Sequence, residues 1–433
     1  MRHDAGVPEP SEPREPIAPT EPTMPAGTAT PAGTATPAGS ATPAGPAERL
    51  DPADGSSVAG AAGTGTGDAR DASAGAAGLP AERVSPRSVV LSFGMLATAA
   101  LLSGLVLLPV PYVVTTPGPT RDVLGEYDGR AIIEVSGAKT YASTGELRLT
   151  TVRATGGPGF PTNALAVVQA WLARSSNVQP REDLYPQQES REEVEQQNQA
   201  QMVSSQENAT VAALTELGYD VPATMVVAGA VEGTHAEGVV EKGDVITAID
   251  GTSLPTYNDL VETLADVEPG TTITLTVTRN GVEKDLPIET GERDDGTALI
   301  GVYIDPTFDM PVDVTITAED IGGPSAGTMF ALGIVDKLTP EDEANGVDIA
   351  GTGTIDVTGR VGAIGGIRQK LAGARRDGAT WFLAPEANCG EVVGAVPAGL
   401  HVTRVATLHE AREAVAAIGQ GETDDLPTCS SAG

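Results

Sequence analysis

From Val89 to Leu108 the chain runs for twenty residues without a charge. At about 1.5 Å per residue, a helix of that length reaches roughly 30 Å, the thickness of a bilayer's hydrocarbon core. Beyond Leu108 the sequence stays apolar to Val114 and meets no charge until Arg121. Residues 89–114 are therefore expected to form one transmembrane segment. Arg83 and Arg87 lie on its N-terminal side. Basic residues favour the cytoplasmic face, which puts the N-terminus inside and the bulk of the chain outside a cell membrane, crossed once. A cleaved signal peptide remains as a second reading, although the run lies deep in the chain and exceeds a typical signal core. A buried helix of a soluble protein is the third.

Residues 1–85 differ in kind. Pro25-Ala-Gly-Thr-Ala-Thr30 repeats at 31–36 and, with Ser40, at 37–42. Few of these residues can build a core, so chain entropy is expected to keep the tail disordered, as a tether or docking segment. The whole chain carries a net charge of −33, which disfavours nucleic acid as a partner. None of its five lysines follows a glycine, so there is no Gly-Lys-[Ser/Thr] phosphate loop. The histidines, His3, His235, His401 and His409, show no zinc-protease spacing, and two cysteines alone make no structural zinc site. No cofactor or metal is expected. Cys389 and Cys429 can pair in an exported domain, and sequence does not decide whether they come close enough.

The chemistry concentrates in two stretches. Ile321-Gly-Gly-Pro-Ser-Ala-Gly327 joins an alternating segment, Val312–Ile316, to the apolar run Thr328–Val335, which suits a strand, a turn and a buried helix. Pro324 fits a first helical turn. Ser325 then stands at a helix start, where free N–H groups and the helix dipole favour a developing negative charge. A nucleophilic serine beside an oxyanion hole fits this setting, and so does a plain glycine-rich cap. The second stretch, Ala350 to Lys370, reads as strand, turn, strand, glycine turn and helix. Lys370 falls early in that helix. A buried lysine loses its charge more easily, so Lys370 can serve as base to Ser325. His401 and His409 offer a triad in principle, without a recognisable catalytic context.

Gly323-Pro-Ser-Ala-Gly327 and Thr352-Gly-Thr-Ile-Asp-Val-Thr-Gly-Arg-Val-Gly-Ala-Ile-Gly-Gly-Ile-Arg-Gln-Lys370 resemble the proteolytic domain of Lon proteases. The resemblance implies Ser325 as nucleophile and Lys370 as general base. Thr352 falls where that family has a threonine that supports the lysine, and the backbone N–H groups around Gly323 and Ser325, beside Pro324, are expected to stabilise the oxyanion. Two departures stand out: where that family usually has an acidic residue directly before Gly-Pro-Ser, Gly322-Gly323 precede Pro324 with Asp320 further back, and Thr354 replaces the acid of Thr-Gly-Glu.

Residues 222–290 form a separate β-rich module. Thr224–Val231 reads as a strand, Tyr257–Ala265 as a short helix, and Thr272–Thr278 with Val282–Ile288 as a hairpin across Asn280-Gly281. Lys242-Gly-Asp-Val-Ile-Thr-Ala-Ile-Asp-Gly251 resembles a bacterial PDZ domain. That resemblance implies a peptide ligand, with Leu217-Gly-Tyr-Asp-Val221 as a candidate carboxylate loop that also reads as a helix end. A module that regulates access without binding peptide is the alternative.

The expected fold is α+β: a Lon-type proteolytic domain with an inserted β-rich PDZ-like module, preceded by one transmembrane helix and a disordered tail. Residues 115–217 are its first part, with 176–207 as a loop and a charged helix, and Asn208–Leu217 as its amphipathic continuation stopped at Gly218. Residues 298–420 carry Ser325 and Lys370, and 421–433 are a flexible tail. The arrangement resembles the membrane-anchored, ATP-independent Lon-like proteases of bacteria. It implies protein or peptide substrates and a homo-oligomeric ring. A catalytically silent, membrane-tethered PDZ scaffold is the rival reading.

Overall fold

A computed structural model describes residues 85–173, 175–185, 190–293, 296–318 and 321–430. The expected disordered tail lies outside them, apart from Ser85. The described chain opens with α1 (Pro86–Leu107), capped by the Ser85 side chain, which accepts from the Ser88 N–H. None of its residues is buried, and it is long and apolar enough to cross a membrane.

Strands β1 (Tyr112–Asp122), β2 (Ile133–Ser136) and β3 (Glu146–Thr155), helix α2 (Ala164–Leu172) and strand β4 (Asn177–Pro180) follow. Helix α3 (Arg191–Glu216), the longest among the described residues, follows, started by a capping box between Ser190 and Glu193. The charged helix expected within 176–207 and its continuation to Leu217 form this single helix, while an edge strand, Asn177–Pro180, takes part of the expected loop. The helix stops where Gly218, at φ +79, lets the Tyr219 N–H return to the Leu214 carbonyl. Leu217–Val221 is therefore a helix end.

The module contains β5 (Ala223–Ala230), β6 (Val245–Ile249), α4 (Tyr257–Ala265), β7 (Thr272–Arg279), β8 (Val282–Glu289) and β9 (Val302–Phe308). Its sheet runs β8-β7-β6-β5-β9 around a core that includes Met225, Ile249, Leu260, Ile273 and Leu275. Asn280 and Gly281 both take positive φ, the backbone a two-residue hairpin needs. The boundary expected at 298 is corrected. β9 pairs with β5 from Val302↔Ala230 to Phe308↔Ala223, so the module's sheet extends to Phe308. Its partner strand lies some eighty residues earlier, a non-local pairing that local pattern does not encode.

The chain then returns to the first part through β10 (Asp313–Ile316), which pairs with β2. Helix α5 (Gly327–Leu338), β11 (Asp348–Gly351), α6 (Ile367–Arg376), β12 (Trp381–Pro385), β13 (His401–Val405) and α7 (Leu408–Gln420) complete it. One sheet, ordered β13-β12-β11-β3-β1-β4, joins strands from both sides of the module, which is thereby an insertion. Strand alternation splits the sheet's residues between two cores. Leu147, Leu149, Ile349 and Leu383 face α5, with Ala209 and Ala213 of α3 and Val415 and Ile418 of α7 closing that layer. Ala350, Phe382 and Ala384 face Ile367, Leu371 and Ala374 of α6. Helix α5 is buried continuously from Gly327 to Asp336, as its unbroken apolar run requires.

The C-terminal segment is not the flexible tail expected for 421–433. Pro427 accepts from the Arg404 N–H and the Thr403 hydroxyl, at 2.9 and 2.8 Å, and Cys429 is disulfide-bonded to Cys389. These links tie the segment to β13 and to the layer over α6. Residues 431–433 lie outside the described chain.

Candidate active site

Ser325 and Lys370 meet between the two layers. Lys370 Nζ lies 2.7 Å from Ser325 Oγ and 2.9 Å from Thr352 Oγ1. Lys370 and Thr352 have no exposed surface, and Ser325 keeps 7%. Burial alone pushes the Lys370 ammonium down from 10.5 to about 7. Its helix, α6, starts at Gly366, whose φ of +72 and close approach to Val152 exclude a larger residue: a Cβ there would sit 2.9 Å from Val152 Cγ1. That turn lays the first coil of α6 on β3 and aims the long lysine stem inward.

The serine is held differently from the sequence expectation. Helix α5 begins at Gly327 with Ala326 as N-cap, so Pro324 and Ser325 precede the helix instead of opening its first turn. The Ser325 carbonyl explains this. It accepts from Thr352 Oγ1 at 2.9 Å and from the Gly353 N–H at 3.0 Å, bonds that hold residue 325 out of helical pairing. Thr352 thus accepts from Lys370 and donates to the serine backbone, fixing the two against each other. Gly323 supplies the preceding turn at φ +83. Its N–H donates to the Asn198 carbonyl at 3.2 Å and is occupied. Among the described residues, the N–H groups of Ser325 and Ala326 donate to no protein group, and α5 has no side-chain cap. These two donors lie where a dipole favours an anion.

Helix α3 contributes parts that sequence reading missed. Ser205 Oγ donates to the Pro324 carbonyl at 3.0 Å, and Asn208 Nδ2 donates to the Ile355 carbonyl at 3.2 Å. With Asn198, these residues brace the serine turn from one side. Their signal in the sequence was faint: a Gln- and Glu-rich stretch with small inward residues in place of large apolar ones. The other candidates sit elsewhere. His401 stacks on Trp381, with ring centroids 4.9 Å apart, and His409 Nδ1 lies 2.9 Å from Glu216 Oε1. Asp320 is outside the described residues. No cluster of metal-ligating side chains occurs among the described residues.

Residues 305–416 match the family described as Lon protease (S16) C-terminal proteolytic domain, and residues 204–290 match the PDZ domain family. A Lon protease of Desulfatibacillum aliphaticivorans is 41% identical over 93 residues, which are 21% of this chain and 11% of that protein. A Lon protease of Frankia alni is 35% identical over 119 residues, 28% of this chain and 12% of that protein. The chain thus spans about a tenth of the length of these curated relatives. Among solved structures, the PDZ domain of an SdrC-like protein from Listeria monocytogenes aligns with 19% of this chain and 86% of its own, at 21% identity and a TM-score of 0.18. The chain carries a Lon-type proteolytic domain and a PDZ domain.

Proposed function

We propose that this chain is a membrane-anchored, ATP-independent serine endopeptidase with Ser325 as nucleophile and Lys370 as general base. The observation that carries the proposal is the 2.7 Å contact between Lys370 Nζ and Ser325 Oγ, in a setting that lowers the amine to about 7, so that roughly half of it is neutral at pH 7. A neutral amine accepts the Ser325 hydroxyl proton as Oγ attacks a peptide carbonyl carbon. The resulting oxyanion meets the free N–H groups of Ser325 and Ala326. Gly323, expected to help there, is already bonded to Asn198 and shapes the turn. Collapse breaks the peptide C–N bond, and the Lys370 ammonium returns its proton to the leaving amine. Water then attacks the acyl-enzyme ester, giving a proton to Lys370, which passes it back to Ser325 Oγ as the acid leaves. Pro324 holds the turn through its carbonyl bond from Ser205.

The substrates in this reading are proteins or peptides that reach the site already extended, since the chain shows no phosphate loop to drive unfolding. The PDZ domain receives a peptide, from substrate or regulator, as an added strand at a sheet edge. Strand β9 is one such edge, and it leads through β10 to the Ser325 turn. Assembly into a ring belongs to the same reading. Helix α1 anchors the chain with the N-terminus cytoplasmic and the catalytic domain outside, where the Cys389–Cys429 disulfide is chemically at home. Cleavage of a peptide library by the detergent-solubilised chain, with Ser325→Ala and Lys370→Ala beside it, tests the proposal: both variants are expected to lose turnover while keeping their fold.

A further inference from the structure

Helix α2 turns an apolar face to solvent. Leu165 and Val168 are more than a third exposed, Trp171 is 66% exposed and Leu172 81%. Their spacing places them along one side of the helix, while Val167 and Ala170 pack inward against Val110, Tyr112, Val114 and Val178. Gln169 is the one polar side chain in the helix, and the sequence carries no charge from Ala154 to Ala173. Such a face is unfavourable in water by about 25 cal/mol per Å² and marks a contact surface.

Its position identifies the contact. Just past the end of α1, Pro109 pairs with Asn163 and Val110 with Thr162. Asn163 is the N-cap of α2, its side chain accepting from the Ala166 N–H at 2.9 Å. The N-cap of α2 is therefore fixed to Pro109, two residues beyond Leu107. Two residues reach at most about 7 Å. A headgroup layer is roughly 5–8 Å deep on each side of a bilayer. If α1 spans a bilayer, the first turn of α2 is held at the headgroups. Trp171 is one of two tryptophans in the chain, and tryptophan favours that layer. The exposed Arg181, whose N–H donates to the Pro111 carbonyl at 3.1 Å, brings a cation to the same end of a strongly acidic chain.

We propose that α2 lies in the headgroup layer of the leaflet into which α1 emerges, as a second, interfacial membrane contact through Leu165, Val168, Trp171 and Leu172. This rests on the spanning role of α1. Two contacts tied together by the Pro109–Val110 bridge restrain the catalytic domain's tilt, where one helix and a free linker would let it swing.

The test uses the full chain reconstituted into vesicles of phosphatidylcholine and phosphatidylglycerol. Trp171 emission is taken as the difference between wild type and Trp171→Phe. The expected result is co-flotation resistant to alkaline carbonate, with Trp171 emission quenched by lipids brominated near the headgroup and several-fold less quenched by aqueous acrylamide. Loss of chain from the vesicles in carbonate overturns the spanning role and the interfacial contact with it. Carbonate-resistant chain whose Trp171 stays open to acrylamide overturns the interfacial contact alone. Trp171 shielded from acrylamide yet untouched by brominated lipid also overturns it, and assigns the face to a second copy of the chain.

Discussion

Lys370 Nζ lies 2.7 Å from Ser325 Oγ, although 45 residues separate the two in sequence. Three local features produce the contact: the Gly366 turn that seats α6 on β3, the Thr352 hydroxyl shared between the pair, and the bonds that keep Ser325 outside α5. Burial is the one cause that lowers the lysine, with no carboxylate holding it charged.

That burial has a consequence for stability. Lys370 titrates at about 7 when folded, against an ordinary value of 10.5. Between those values the unfolded chain binds more protons, so stability from this group rises with pH across the window and is lowest below about 7. Lys370→Met is expected to stabilise the fold at pH 6 and to do so much less near pH 10. Denaturant melts at both values check this. Equal stabilisation at the two would show that the amine is not buried as described.

Thr352→Val removes the hydroxyl that accepts from Lys370 and donates to the Ser325 carbonyl. A buried hydrogen-bond loss of about 2 kcal/mol corresponds to a roughly thirtyfold fall in kcat. The ammonium form also loses an acceptor, so the pH profile is expected to move to lower pH. Thr352→Ser should restore both. A rate loss with an unmoved pH profile would leave Thr352 a purely structural part.

Asp336, near the end of α5, is buried, and its Oδ1 has no hydrogen-bond partner among the described residues. Burial, with Glu343 and Asp342 adding like charge, pushes it up from 3.8 to about 6. Here the folded chain binds more protons between those values, so stability falls as pH rises through the window and the penalty is complete above about 6. Asp336→Asn is expected to raise stability at pH 8 by on the order of 2 kcal/mol. It should change little at pH 4. Thermal melts at the two values decide it.

Cys429→Ser frees the segment that the disulfide and the Pro427 carbonyl hold. Closing a loop over a sequence separation of 40 is worth about 4 kcal/mol in the chain-entropy model. The expected result is a lower Tm that matches the reduced wild-type protein. An unchanged Tm on reduction would show that the link contributes no stability.

The sequence exposes the parts of the fold that rest on local rules. Asn280-Gly281 specifies its hairpin, Tyr257–Ala265 its helix, and Thr328–Val335 its buried run. Ser325 and Lys370 stand out because each sits beside a glycine turn that only a close approach requires. Other features depend on partners distant in sequence. Strand β9 finds β5 across the whole module. Helix α3 reads as a charged helix in the sequence, but its part in the site does not, because its inward face is built from Ser205, Ala209, Ala212 and Ala213, which pack closely without a strong apolar period. Ser325 leaves the helix because Thr352 and Gly353 hold its carbonyl. The C-terminal segment looks free until Pro427 and Cys429 meet their partners.

The most direct test of the proposed chemistry is the pH profile of peptide cleavage by the full chain, wild type beside Lys370→Ala, from pH 6 to 10. The account predicts activity that rises through about pH 7 to a plateau and is absent from the variant. Cleavage retained by Lys370→Ala with the same pH dependence would contradict it and remove Lys370 from the role of base.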